Sequence, residues 1–168
     1  MNKILLVLIL FSSCNRFNAE KLDPQQIKET TALINRFEKN ILQAEENARN
    51  TFSTFLRQLN RANSDKGDFY VKYPVLADAG KEIRTEQIWL TGIYYENGNY
   101  YGMLANTPLN ISSLKKGDRI IFYTDSISDW MYISNGKIIG GQSIKYLLEK
   151  IPESDRSFQQ KKILGMFN

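Results

Sequence analysis

The chain has 168 residues, a length that suits one domain, and its 42% hydrophobic and 24% charged residues are ordinary for a globular protein. The formal net charge of +4 comes from 22 Lys and Arg against 18 Asp and Glu, with the two signs interspersed. Because there is no basic stripe, nucleic acid is not expected as a partner. The sequence has no histidine, which excludes Ser-His-Asp and Cys-His catalytic arrangements and removes the commonest metal ligand.

The N-terminus has the composition of a bacterial export signal. A positively charged start leads into an unbroken apolar run at residues 4–11, which is too short to span a bilayer. Two serines and then Cys14 follow, and this order resembles the lipobox at which lipoprotein signal peptidase cleaves after the cysteine is acylated. Phe11 departs from that pattern, which prefers leucine. An ordinary secretory signal with an incidental cysteine is the alternative.

The single cysteine is therefore predicted to be a lipidation site. In this interpretation residues 1–13 are a signal peptide, Cys14 becomes the mature N-terminus and residues 14–23 form a polar tether. Acyl chains contribute about 0.8 kcal/mol per inserted CH₂, so several of them would hold the domain at a membrane. The expected location is the bacterial cell envelope, facing the periplasm.

Residues 24–65 are predicted to be helical. Asp23 can cap the helix and Pro24 suits its first turn. Apolar residues then recur in steps of three, four and seven, which is the period of a helix with one apolar face. An unbroken helix of this length would be longer than so small a domain is wide. We therefore expect a break or bend near Asn40, with the second half packed on a sheet.

The segment 66–168 is predicted to form an antiparallel sheet of about five strands followed by short C-terminal helices, giving an α+β fold in one domain with the helix. The strongest local signal is Asn97-Gly98 between two aromatic and β-branched runs, which favours a two-residue type I′ turn. A second Asn-Gly pair, Asn135-Gly136, predicts another hairpin. The first turn predicts four cross-strand pairs: Tyr95 with Tyr100, Tyr94 with Tyr101, Ile93 with Gly102, and Leu90 with Ala105.

The predicted hairpin has no plainly polar face. One face would carry Ile88, Leu90, Tyr94, Tyr101, Met103 and Ala105, and the other Trp89, Ile93, Tyr95, Tyr100 and Leu104. We therefore expect the sheet to be covered on both sides near its middle, with the tyrosine-rich tip in solvent. The predicted binding surface is that tip, formed by Tyr94, Tyr95, Tyr100 and Tyr101. Cross-strand packing inside the fold explains the four tyrosines equally well.

Several short motifs occur in one order along the chain. They are Ala48-Arg49 with Phe55-Leu56, Phe69–Lys72, Glu86–Leu90, Gly102–Pro108, Leu114–Asp118, Asp129–Tyr132, and Gly136-Lys137 with Gly140-Gly141. Together, from about Ala44 to Leu148, they resemble the YegJ-like family of bacterial domains of unknown function. The chain departs from the family pattern at Gln87, where histidine usually follows the glutamate. The resemblance implies a fold and a domain extent, and no particular activity.

Acidic and aromatic residues of these motifs are the candidates for chemistry. Carboxylates at Glu86, Asp118, Asp125 and Asp129 could in principle pair for acid and base work, although Asp118 is more simply part of a turn. Asp129-Trp130 gives either a carboxylate beside an aromatic wall or a capping aspartate before a core tryptophan. The weak candidates are Glu86, Trp89, Asn106, Asp118, Asp129 and Trp130. No cofactor is expected, although carboxylates alone can bind hard cations.

Three hypotheses follow. The first is a non-catalytic envelope module that binds a protein or a cell-wall component, an immunity-type role being one version. The second is a hydrolase-like enzyme, which requires acids such as Glu86, Asp118 and Asp129 to converge in a pocket with shifted pKa values. The third is a structural or assembly lipoprotein that acts through its long helix.

Overall fold

The computed structural model describes residues 24–61, 68–77 and 84–167. The predicted signal peptide (residues 1–13), the lipidation site Cys14, the tether (14–23) and the end of the predicted helical segment (62–65) lie outside these ranges.

Helix α1 (Pro24–Arg61) is the longest element and runs without interruption. The break expected near Asn40 does not occur, because no glycine or proline follows Pro24 in this segment to end the helix. Helix α1 crosses the boundary between two compact units of the chain, Met1–Asn35 and Arg36–Asn168. In the second unit it buries an apolar stripe that consists of Ala44, Ala48, Phe52, Phe55 and Leu59.

In the described part of the chain, six antiparallel strands form one sheet in the order β4-β3-β2-β1-β5-β6. The strands are β1 (Phe69–Ala77), β2 (Arg84–Glu96), β3 (Asn99–Leu104), β4 (Arg119–Phe122), β5 (Asp129–Ser134) and β6 (Lys137–Gly140). Helices α2 (Gln142–Lys150) and α3 (Phe158–Met166) follow, and 3-10 turns lie at Thr124–Ser126 and Glu153–Asp155. The α+β class is confirmed. The strand count is six rather than about five, because the second hairpin contributes two short strands.

Next to its turn, the hairpin of β2 and β3 has the predicted register. Asn97 and Gly98 have φ values of +49° and +84°, and a type I′ turn requires positive φ at both positions. Tyr95 pairs with Tyr100 and Tyr94 pairs with Tyr101, as predicted. The Asn-Gly turn thus fixes the first pairs of the hairpin.

Farther from the turn, the predicted register is wrong. The register shifts between Thr91 and Tyr94, so that Leu90 pairs with Leu104 instead of Ala105, and no pairing of Ile93 with Gly102 forms. Gly92 lies in this bulge with a φ of +58°, a conformation that glycine adopts without strain. The sequence of the turn does not predict the bulge, which adds one residue to β2 and shifts all later pairs.

The bulge also decides which side chains enter the core. It places Leu90 and Ile93 on the same face of the sheet, both fully buried, so the prediction that they lie on opposite faces is wrong. This face packs against α1. Its buried core members from the strands are Phe69, Val71, Ile88, Leu90, Ile93, Leu104, Phe122 and Trp130.

The opposite face of the sheet is only partly covered across β2, β3 and β4. We call this surface the open face and define it by the side chains of Trp89, Tyr94, Tyr101, Met103, Arg119 and Ile121. Met103 and Ile121 are 41% and 43% exposed, and Trp89, Tyr94 and Tyr101 are half-buried. The sheet is covered on both sides at β1 and β5, where Asp129 on this second face is buried against Ser143 of α2, whereas the expected cover is missing at Met103 and Ile121.

Candidate functional site

The open face is ordered by a small aromatic and cationic cluster. The rings of Tyr94 and Tyr101 stack at a centroid distance of 5.2 Å and an angle of 15°. The Arg119 guanidinium lies 4.6 Å from the Tyr101 centroid, and its Nη1 donates to the Tyr94 hydroxyl at 3.0 Å. This hydrogen bond, followed by the neighbouring phenols, raises the pKa of Arg119. The cluster therefore presents a rigid, permanently cationic aromatic surface.

The other two tyrosines of the hairpin lie on the helix-covered face. Tyr95 and Tyr100 have ring centroids 4.8 Å apart, and Tyr100 also contacts Phe122 at 5.7 Å. Burial raises the pKa of Tyr100, and Tyr95 adds to the shift. Tyr95 remains 63% exposed. The four tyrosines proposed as one surface are therefore split between two faces, and Tyr100 packs against the core.

Glu86 holds the loop that follows β3. Its carboxylate accepts hydrogen bonds from the backbone N–H groups of Leu109 at 2.7 Å and Asn110 at 2.8 Å. In the same loop Asn106 is exposed, and its side-chain amide donates to the Thr107 carbonyl at 3.4 Å. Glu86 and Asn106 thus form hydrogen bonds within this loop. Its Leu109 side chain is 85% exposed.

The carboxylates of Glu86, Asp118 and Asp129 do not converge. Asp118 accepts from the backbone N–H of Lys115 at 2.9 Å and closes the turn before β4. Asp129 begins β5, and three strands of the sheet separate β4 from β5, a spacing of roughly 19 Å at about 4.8 Å per strand. Glu86 is occupied by its loop. The shared carboxylate site that the enzyme hypothesis requires is therefore not formed.

Asp129 belongs to a buried polar cluster with Trp130, Lys72 and Ser143, and the last two were not among the predicted site residues. One carboxylate oxygen accepts from the Trp130 N–H at 2.8 Å, and the other accepts from the Ser143 N–H at 2.8 Å and the Ser143 hydroxyl at 2.6 Å. The Lys72 ammonium donates to the Ser143 hydroxyl at 3.3 Å. Because Lys72 is in register with Asp129, strand pairing alone brings the opposite charges together.

Burial perturbs both charges of this cluster. It raises the pKa of Asp129, while the hydrogen bonds from Ser143 and Trp130 and the charge of Lys72 act in the opposite direction. It lowers the pKa of Lys72, against the attraction of Asp129 and Glu45. Ser143 is fully buried, so its hydroxyl is closed to a substrate. The cluster connects β1, β5 and the start of α2, which is a structural arrangement.

Trp130 and Trp89 have different environments. Trp130 is 5% exposed, and its indole N–H donates to the Ala48 carbonyl of α1 at 2.9 Å. It therefore joins the sheet to the helix. Trp89 stands on the open face, next to Lys72 in register, and is half-buried.

The described part of the chain lacks two further features. No group of three or more Cys, Asp or Glu side chains is arranged there to hold a metal ion. None of the helices there has the length and apolar composition needed to cross a membrane.

The fold and the site define a class: a small α+β domain with a long helix on one face of an antiparallel sheet and an aromatic open face on the other. The chain belongs to the DUF2314 family, described as uncharacterized protein conserved in bacteria, whose sequence profile matches residues 38–167. This membership agrees with the resemblance inferred from the motifs.

Two relatives extend this comparison. The chain is 31% identical over 156 residues to the uncharacterized protein YegJ of Escherichia coli K12. These residues make up 92% of this chain and 94% of that protein. It is 30% identical over 128 residues to a protein of Neisseria meningitidis serogroup B named as an ankyrin repeat protein. These residues make up 74% of this chain and 51% of that protein. No solved structure matches the chain.

Proposed function

We propose that this chain is a non-catalytic binding domain of the bacterial cell envelope that recognises a protein partner through the open face. The observation that carries the proposal is the asymmetry of the sheet. One face is buried under α1, while the other leaves Met103 and Ile121 exposed beside a fixed tyrosine and arginine cluster.

The composition of the open face suits protein recognition. Tyrosine, tryptophan, methionine and arginine are the residue types enriched where proteins meet, and lysine and acidic residues are depleted there. Tyr94, Tyr101 and Arg119 are already fixed by contacts with one another. Little conformational freedom would be lost when a partner binds them.

A protein partner is favoured over a cell-wall component for one further reason. The Neisseria relative is named as an ankyrin repeat protein, and ankyrin repeats form extended binding surfaces. That relationship is compatible with a protein-binding role for the domain the two chains share. An acylated Cys14 would hold the open face close to a membrane surface.

The test is crosslinking in cells followed by mass spectrometry with the full-length chain. The open-face variant Met103→Asp is compared with Leu109→Asp, which places the same charge on an exposed side chain away from the open face. We expect one specific partner with the wild type and Leu109→Asp, and at least a tenfold lower yield with Met103→Asp. Equal capture by both variants, or no specific partner, contradicts the proposal.

A helix-based assembly role is the second candidate. It is favoured by the division of the chain into two compact units, because part of α1 belongs to Met1–Asn35 rather than to the unit with the sheet. Deleting residues 25–35 discriminates the two candidates. Loss of the partner with unchanged thermal unfolding favours the helix, whereas retention of the partner favours the open face.

A further inference from the structure

Strand β4 forms one edge of the sheet. Among the described residues only β3 pairs with it. The other edge strand, β6, is bridged at Ile138 by Phe167 from the end of α3. The two edges therefore differ, and β4 is the one available for a further strand.

The hydrogen bonds of the hairpin loop show which backbone groups of β4 point outward. The Leu104 N–H donates to the Asp118 carbonyl at 2.9 Å, one pair beyond the pairing of Met103 with Arg119. Hydrogen-bonded and non-hydrogen-bonded pairs alternate along an antiparallel ladder. Ile120 and Phe122 are therefore bonded to β3, and the N–H and C=O groups of Arg119 and Ile121 point away from it.

The side chains of the same residues add apolar surface to this edge. Arg119, Ile121 and Tyr123 alternate with the core residues Ile120 and Phe122, and Ile121 and Tyr123 are 43% and 61% exposed. Edge strands are commonly protected by lysine, proline or inward-pointing charges. Residues 119–123 contain no lysine, proline or inward-pointing charge, although β4 has only four residues and Arg119 places one charge at its start.

We propose that β4 pairs antiparallel with β4 of a second copy of this chain, with Ile121 opposite Ile121 at the centre. The core faces of the two sheets lie on the same side only in registers that place a core-face residue of one β4 opposite a core-face residue of the other. Among these registers, the one centred on Ile121 pairs the outward-pointing backbone groups of the two strands with each other. It joins the two sheets edge to edge and makes their open faces continuous.

The chemistry of this register is self-complementary, as a two-fold interface requires. Ile121 meets Ile121, and Arg119 meets Tyr123 of the second copy, a cation beside an aromatic ring. On the core face Ile120 meets Phe122 of the second copy. The two Arg119 residues stand four positions apart, roughly 13 Å at about 3.3 Å per residue, so like charges do not oppose each other.

Disulfide trapping tests the register. Single cysteines are introduced into the full-length chain in which Cys14 is replaced by serine. Ile121→Cys should form a disulfide-linked dimer under mild oxidation, because directly opposed strand residues lie within disulfide reach. Arg119→Cys should not crosslink to itself, and Leu109→Cys, with 85% exposure, reports random collision.

Sedimentation of the chain over a roughly hundredfold concentration range tests the dimer itself. We expect the wild type and Leu109→Lys to shift from monomer to dimer together. Ile121→Lys should stay monomeric, since it sets two charges directly opposite each other. Ile121→Cys that crosslinks no faster than Leu109→Cys, or a wild type that is monomeric throughout, overturns the proposal. Either result leaves the partner-binding test above unaffected.

Discussion

Asp129 is 1% exposed and satisfies its carboxylate with three hydrogen bonds, two of them from Ser143. Its charge is offset by Lys72, which reaches the same serine hydroxyl. Because the three donors are buried, a substitution that removes an acceptor oxygen leaves at least one of them without a partner. At the residue scale, this cluster is where a single substitution should have its largest effect.

Replacing Asp129 with asparagine should therefore destabilise the domain. The amide keeps the shape of the carboxylate but replaces one accepting oxygen with an NH₂ group that cannot accept from Trp130 or Ser143, and we expect a loss of about 1–3 kcal/mol in the free energy of unfolding. Denaturant titration measures the loss. Asp125→Asn, at an exposed aspartate bonded only to Ser126, should change stability by less than about 0.5 kcal/mol. An Asp129→Asn variant as stable as Asp125→Asn would contradict this account.

The same carboxylate gives a pH dependence. Burial raises the pKa of Asp129 above the usual value of 3.8, so the folded protein binds this proton more readily than the unfolded chain does. The resulting stabilisation is fully present below pH 3.8 and is lost as the pH rises through the raised pKa. The free energy of unfolding of the wild type, relative to that of Asp129→Asn, should fall as the pH rises across this window. If the free energies of unfolding of the wild type and Asp129→Asn change with pH in the same way, Asp129 does not titrate as described.

At the scale of elements, the sequence predicted what depends on local rules. The Asn97-Gly98 turn gave the correct pairing of Tyr94 and Tyr95 because a two-residue turn fixes its neighbours. It did not reveal the bulge, since Gly92 in a strand is equally compatible with a regular ladder. Lys72 and Ser143 were missed for a different reason: their contact joins positions 71 residues apart, and no local pattern marks it.

Glycines of the hairpin permit a direct test of the bulged packing. A Cβ at Gly102 would lie 2.9 Å from both Ile93 and Leu90, the two residues that the bulge places on one face. Gly102→Ala should therefore cost about 1–3 kcal/mol of unfolding free energy through overpacking. Gly165→Ala makes the same chemical change in α3 with nothing within 4 Å, and should stabilise the domain by up to about 1 kcal/mol. Two neutral substitutions would show that Gly102 is not closely packed.

At the scale of the whole molecule, the two faces of the sheet have separate roles. The face under α1 supplies the core, and Trp130 ties the two together through the Ala48 carbonyl. The other face carries the surface proposed for a partner, and β4 is the edge at which two such surfaces would join. If the chain is anchored at its N-terminus, both proposed contacts form within a membrane plane, where confinement raises the effective concentration of the proteins.

The proposed anchoring depends on Cys14, and replacing that residue tests it. Cys14→Ser should abolish incorporation of labelled palmitate and leave the predicted signal peptide attached, because cleavage follows acylation of the cysteine, so this variant should run as a larger protein. Asn15→Ser, at the next residue, leaves the acceptor thiol in place and should stay with the membrane. The folded domain should unfold at the same temperature in both variants. Palmitate incorporation by Cys14→Ser, or the same size for Cys14→Ser and Asn15→Ser, would contradict lipidation at Cys14.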